Sequence, residues 1–233
     1  MVIVTGATGA IGREICRMFA AAGENIAVCC HKREEEAAAL CRVLSDEYGV
    51  RAVWRAVDLA DPASIRAAFD YFLSVYGHCD YLVNNAAVSL VKPVSMMSEA
   101  EWDEVIAVDL TALFHTCRAV LDGMYHRGGS IVNVSSMWGA LGASCEVAYS
   151  AAKAGLEGFT KALAEEYAGT VRVNAVALGY VDTPMNAHLS AEEKAAFFAE
   201  NPTMRCLTPR EAAEAVYRAA VSDETGRILR LGW

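Results

Sequence analysis

Tyr149 and Lys153 stand four residues apart at the start of a helical pattern, about Val147 to Ala168, so their side chains share one helix face. That spacing has chemical meaning. A phenol with an ordinary pKa of about 10 exchanges protons poorly near neutrality, and an adjacent ammonium favours the phenolate and lowers that value. Ser136 comes just after a run of strand character, Ile131 to Val134, where its hydroxyl can hydrogen-bond and orient the same carbonyl oxygen. A Ser-Tyr-Lys set of this kind suits proton delivery to a ketone. Taken alone, Tyr-x-x-x-Lys is a common accident of amphipathic helices, so its weight depends on its surroundings.

A second cluster lies at the other end of the chain. Gly6, Gly9 and Gly12 fall between the short β-rich run Val2 to Thr5 and a helical stretch reaching Ala22. Glycines so placed allow a tight turn and close approach of a pyrophosphate, whose charge meets free backbone N–H groups and the helix dipole. The next strand, Ile26 to Cys30, completes a βαβ unit. At its end an acidic side chain would bind a ribose 2′-hydroxyl and repel a 2′-phosphate. Counting 18 residues from Gly12 reaches Cys30, followed by His31, Lys32 and Arg33. Cations here favour the 2′-phosphate, with Arg33 best suited to a forked contact, and so point to NADP(H). The plain alternative is a solvated basic cluster balanced by Glu34, Glu35 and Glu36.

The elements that must carry these residues alternate along the whole chain. After the βαβ unit come a helix from about Glu34 to Tyr48, a strand near Ala52 to Val57, a helix opened by Asp61-Pro62 and a strand Tyr81 to Asn84. A long helical region follows over about Glu99 to Arg127, then the Ile131 strand, the Tyr149 helix and a strand Val171 to Ala177. The stretch Leu178 to Pro209 breaks the rhythm around one short helical pattern, Ala191 to Glu200. A loop of this length in a compact domain commonly serves as a lid. A helix over about Arg210 to Ser222 and a strand Arg227 to Leu231 close the chain. The alternation predicts one α/β domain over residues 1–233, a Rossmann-type parallel sheet covered on both faces.

With 55% hydrophobic and 21% charged residues the chain has apolar side chain enough for a core. Its 29 acidic against 20 basic residues give a net charge of −9, which argues against nucleic acid and anionic membranes as partners. Met1 runs straight into the first strand, and no apolar run approaches the ~20 residues of a bilayer span, so a cytoplasmic location is expected. The eight cysteines show no CxxC spacing and fall mostly in apolar-periodic segments, as reduced buried thiols would. Cys29, Cys30 and His31 do not make a metal site, because strand neighbours point to opposite faces and no second cluster completes a tetrahedral set.

In this order the motifs resemble the short-chain dehydrogenase/reductase family. They are Thr5-Gly6-x-x-Gly9-x-Ile11-Gly12, Val57-Asp58-Leu59, Leu82-Val83-Asn84-Asn85-Ala86, Val134-Ser135-Ser136, Tyr149-Ser150-Ala151-Ala152-Lys153, Val173-Asn174-Ala175 and Gly179-x-Val181-x-Thr183. The resemblance implies a doubly wound sheet of about seven strands. It makes Tyr149 the acid, Lys153 the residue that holds the nicotinamide ribose and depresses the tyrosine pKa, and Ser136 the group that polarises the carbonyl. It also implies Gly6, Thr8, Ile11 and Gly12 along the pyrophosphate, Asp58 and Leu59 at the adenine, Asn85 on the adenosine side, and Val181 and Thr183 at the nicotinamide amide. Relatives form tetramers through the helices that hold Asp109 and Tyr149 here, so a homotetramer is expected.

Within the family the chain is most similar to 3-oxoacyl-[acyl-carrier-protein] reductases. A narrower similarity, through Ser135-Ser136-Met137-Trp138-Gly139 and Gly142-Ala143-Ser144-Cys145-Glu146-Val147, is to bacterial reductases of the 5-aminopentanone modification on elongation factor P. A carrier-bound thioester, a modified protein lysine and a small free ketone therefore all stand as substrates. Some positions depart from the family pattern. Ala10, Ala87 and Leu178 replace its glycine, glycine and proline, and Asp109 stands where an asparagine supports a proton relay from the lysine. An ionised carboxylate donates no hydrogen bond, so that relay differs here or Asp109 is protonated. The alternative reading, a non-catalytic or weakly active NADP-binding regulatory protein, draws on these departures.

Overall fold

The computed structural model describes residues 1–186 and 190–233; residues 187–189, within the expected lid stretch, lie outside the described residues. The first half alternates β1 (Val2–Val4), α1 (Ala10–Ala21), β2 (Ile26–Cys30), α2 (Glu34–Tyr48), β3 (Ala52–Ala56), α3 (Pro62–Tyr76) and β4 (Tyr81–Asn84). The second half runs α4 (Glu99–Ile106), a π-helical turn (Ala107–Thr111), α5 (Ala112–Arg127), β5 (Gly129–Ser136), α6 (Met137–Leu141), α7 (Val147–Glu166) and β6 (Val171–Leu178). It ends with α8 (Ala191–Glu200), α9 (Pro209–Val221) and β7 (Ile228–Leu231).

The strands form one seven-stranded parallel sheet in the order β3-β2-β1-β4-β5-β6-β7: the parallel sheet expected from the alternation, in the doubly wound form that the family resemblance implied. Successive side chains of each strand serve opposite cores. Val2, Val4, Val28 and Cys30 pack with Ile15, Phe19, Leu40 and Val216 under α1, α2 and α9, whereas Ile3, Ala27 and Cys29 pack with Ile65, Phe69, Phe72 and Met124 under α3 and α5. Cys29 and Cys30 thus part to opposite faces, as strand geometry demands. All eight thiols are free; Cys145 and Cys206 depart from the buried expectation, being half-buried and exposed.

Two elements differ from expectation in ways that matter for the site. β5 starts earlier and runs on to Ser136, paired residue for residue with β6 from Gly129–Val171 to Ser136–Leu178. Its polar residues concealed that length, yet Asn133 is satisfied inside the protein: Asn84 donates to it at 2.9 Å and it donates to Thr160 at 2.9 Å. The long helix over 99–127 is interrupted by the π-helical turn that contains Asp109. Because the order of strands reverses between β1 and β4, their carboxyl ends open a crevice where a dinucleotide can lie.

Candidate active site

α7 places Tyr149 in its first turn and Lys153 one turn on, both buried, with the Lys153 Nζ 5.3 Å from the centre of the Tyr149 ring. Ser136 is the last residue of β5 and at the same time the N-cap of α6, its Oγ accepting the Trp138 N–H at 3.2 Å. That bond occupies an acceptor site and leaves the hydroxyl proton to point toward Tyr149, where a substrate oxygen can also accept it. A Cβ on Gly139 would lie 2.9 Å from the Lys153 carbonyl carbon, so a glycine is needed for α6 to rest on α7 and bring Ser136 to the tyrosine. The three residues expected to act together do line one cavity of about 490 Å³.

Lys153 is only 2% exposed and donates to the Val134 carbonyl at 3.2 Å. Its ammonium also lies 3.4 Å from Asp109 Oδ2. Burial would lower the lysine pKa, but the Asp109 carboxylate and Tyr149 together hold it above its ordinary value. Burial raises the Asp109 pKa, against the opposing pull of Lys153 and of the Val88 N–H. At Tyr149 opposing effects meet. Burial pushes its pKa up, Lys153 and a Ser136 hydrogen bond pull it down, and the Asp109 and Glu146 carboxylates add to burial, so the balance lies above the ordinary phenol. Lys153 acts in the expected sense; desolvation outweighs it.

The cofactor residues gather at the carboxyl edge of the sheet. Gly6 has a φ of +62°, and a Cβ there would come within 2.8 Å of the Ala86 Cα. A Cβ on Gly12 would sit 2.3 Å from the Gly6 carbonyl oxygen. No side chain caps α1 at Gly9 and no acid occupies its first turn, so its leading N–H groups suit an anion. Asn85 holds the turn rigid, donating to the Thr5 and Gly6 carbonyls at 3.0 and 3.2 Å. Ile11, Asn85, Val181 and Thr183 line the cavity, while Thr8 is buried in the turn. Asp58, exposed, and Leu59, half-buried, follow β3, and Asp58 Oδ1 accepts the Ala60 N–H at 2.9 Å. His31, Lys32 and Arg33 are exposed beyond β2. The glycine cradle and the uncapped helix fit a dinucleotide's pyrophosphate.

Sequence reasoning missed three features. Arg13 on α1 contacts Glu36, which also lies 3.9 Å from Arg33, so a second cation stands beside the expected phosphate-binding cluster. A charge directly after Gly12 was the available signal. An aromatic wall lines the cavity, Phe197 of α8 lying 6.2 Å from Trp138 and 6.1 Å from Tyr180 between ring centres. Only tertiary contact joins those residues. The expected lid stretch does supply α8, and β-type bonds between Tyr180 to Asp182 and Leu207 tie its two ends together.

Comparison with known proteins places this geometry among relatives. The family model described as short chain dehydrogenase matches residues 1–194. The chain is 36% identical over 232 residues to a 3-oxoacyl-[acyl-carrier-protein] reductase of Chlamydia muridarum, covering 97% of this chain and 93% of that one. It is 40% identical over 217 residues to the cis-4-hydroxycyclohexanecarboxylate dehydrogenase of Sinomonas cyclohexanicum, covering 92% and 86%. A crystal structure from Brucella melitensis, titled as a short-chain dehydrogenase/reductase of the glucose/ribitol dehydrogenase type, superposes with a TM-score of 0.89 at 28% identity, over 99% of this chain and 94% of that one.

Proposed function

Since the chain belongs to the short chain dehydrogenase family, whose members are oxidoreductases of alcohol and ketone pairs, we propose that it is an NADPH-dependent ketone reductase. The observation that carries this reading is the convergence of Ser136, Tyr149 and Lys153 on one cavity with Ile11 and Asn85 of the dinucleotide crevice. When bound, NADPH supplies the hydride. Gly6, Thr8, Gly9, Ile11 and Gly12 would hold its pyrophosphate, and His31, Lys32 and Arg33 its 2′-phosphate. Asp58 and Leu59 would meet the adenine, Asn85 the adenosine side, Val181 and Thr183 the nicotinamide amide, and Lys153 the ribose.

Ser136 donates its hydroxyl proton as a hydrogen bond to the ketone oxygen, holding it at Tyr149 and polarising the carbonyl. Tyr149 then gives its proton to the oxygen as negative charge develops there. A phenol kept above its ordinary pKa is fully protonated at neutral pH, which suits an acid in the reductive direction. Trp138, Tyr180 and Phe197 give the cavity an aromatic side on which the carbon chain of a ketone can rest.

The likeness to the Chlamydia muridarum 3-oxoacyl-[acyl-carrier-protein] reductase supports a 3-oxoacyl thioester on a carrier protein as substrate. A second reading, the 5-aminopentanone of a modified lysine on elongation factor P, is favoured by a specific observation: the acids Glu146 and Glu193 line the cavity, where they suit an amine-bearing ketone. Oxidation of NADPH with acetoacetyl thioester and with aminopentanone-modified elongation factor P, run in parallel with Tyr149→Phe, tests these readings. Turnover of one substrate names the class, and loss of turnover of at least a hundredfold in Tyr149→Phe is expected. NADPH binding without oxidation across both substrates and a ketone panel would instead favour a regulatory protein.

A further inference from the structure

Asp109 has 0% of its surface exposed and lies in the π-helical turn between α4 and α5. Such turns insert an extra residue into a helix and so redirect a side chain. The turn packs against α7 at Gly155, where a Cβ would come within 2.9 Å of the Leu110 Cδ2; glycine is what lets the two elements close. The two Asp109 oxygens then meet different partners. Oδ1 accepts the Val88 N–H at 2.8 Å, and Oδ2, which takes no hydrogen bond of ordinary geometry, faces the Lys153 ammonium at 3.4 Å.

That separation is too short to admit a water between them. A proton on Oδ2 would point at another donor, whereas a carboxylate meets an N–H on one oxygen and a cation on the other. The ionised form fits its surroundings. A buried ammonium left alone would also be costly, and a direct counter-charge removes most of that cost. The titratable groups facing the pair are Tyr149 on α7 and, beyond it, Glu146; the remaining neighbours are the neutral Ser136 hydroxyl, the Val88 amide and the Val134 carbonyl.

We propose that Asp109 is a positioning residue: an ionised carboxylate bound directly to Lys153 that fixes the ammonium beside Tyr149 and cancels its charge there, so that the phenol keeps its proton into the alkaline range. The inference rests on Tyr149 being the proton donor. Lys153 then serves mainly to place the cofactor ribose and the phenol, and loses much of its power to acidify it.

The test is the pH dependence of kcat/KM for ketone reduction at saturating NADPH, comparing the wild type with Asp109→Asn. The substitution keeps the size and the Oδ1 acceptor and removes the charge. The alkaline limb, where Tyr149 loses its proton, should move down by about one pH unit, the lower end of what a charge within ~4–6 Å does to a pKa. A limb that stays in place or moves up overturns the proposal. If Asp109→Asn does not fold, Asp109→Ser, which also removes the charge, takes its place: a limb below that of the wild type supports the counter-charge, and one that is unmoved or higher overturns it. Tyr149→Phe separates the two levels. Should it still turn over, the donor assignment itself is wrong; should it be inactive while the limb of Asp109→Asn is unmoved, only the role of Asp109 falls.

Discussion

At the carboxyl end of β2 the Arg33 guanidinium is 57% exposed and 3.9 Å from Glu36, whose carboxylate also contacts Arg13. A 2′-phosphate bound there would take up the Arg33 fork as a charge-assisted hydrogen bond, worth about 1.5–3 kcal/mol. Because more than half of the side chain is in water, the lower end applies, about 1.5 kcal/mol, and truncation also leaves the Glu36 charge answered by Arg13 alone. Arg33→Ala should therefore lower kcat/KM for NADPH about tenfold, since 1.4 kcal/mol is a factor of ten. NADH lacks the phosphate and should change less than about twofold on the same reasoning. Steady-state rates at fixed saturating ketone, varying each dinucleotide, read both numbers. The NADPH loss should shrink as salt is raised, because exposed charges are screened. Equal losses for the two dinucleotides, or none for NADPH, would refute the claim that this cluster reads the phosphate.

Other expectations concern the frame of the site. In Gly12→Ala the new methyl would meet the Gly6 carbonyl oxygen at 2.3 Å, pushing α1 off the turn. The overpacking should cost about 1–3 kcal/mol in denaturant melts and raise the KM for NADPH more than that for ketone; unchanged stability and KM would show that the turn yields freely. Asn133→Ala breaks the buried chain from Thr116 through Asn84 and Asn133 to Thr160, which ties α5, β4, β5 and α7 together. Losing both Asn133 bonds should cost about 1–3 kcal/mol, even though Thr160 still donates to the Leu156 carbonyl at 2.8 Å, lowering Tm by roughly 3–10 °C in calorimetry. A change under about one degree would mean that the network adds nothing.

Strand and helix alternation was legible along the chain because most elements bury a simple pattern: continuous apolar runs in β1 and β2, one apolar stripe in helices such as α1, α3 and α9. The Tyr149, Lys153 and Gly6-to-Gly12 positions were legible for a related reason, since helix spacing and a strand-to-helix turn are local geometry. β5 was harder to read. Ser130, Asn133, Ser135 and Ser136 look like a strand end or loop until Asn84 and Thr160 arrive from distant segments to satisfy Asn133. The π-helical turn left no mark either, because an extra residue per turn does not alter composition.

By itself the sequence determined which chemical groups this protein owns and in what order, hence the parallel sheet, the glycine turn that opens the first helix and the pairing of a phenol with an amine. Tertiary structure decided what those groups are worth. Lys153 alone predicts an acidified Tyr149, yet the folded chain buries the phenol and sets Asp109 3.4 Å from the ammonium, and the balance reverses. Covalent order says which charges exist; their energies depend on separation and on the water removed around them, and both are set by how α7, β5 and the Asp109 turn pack.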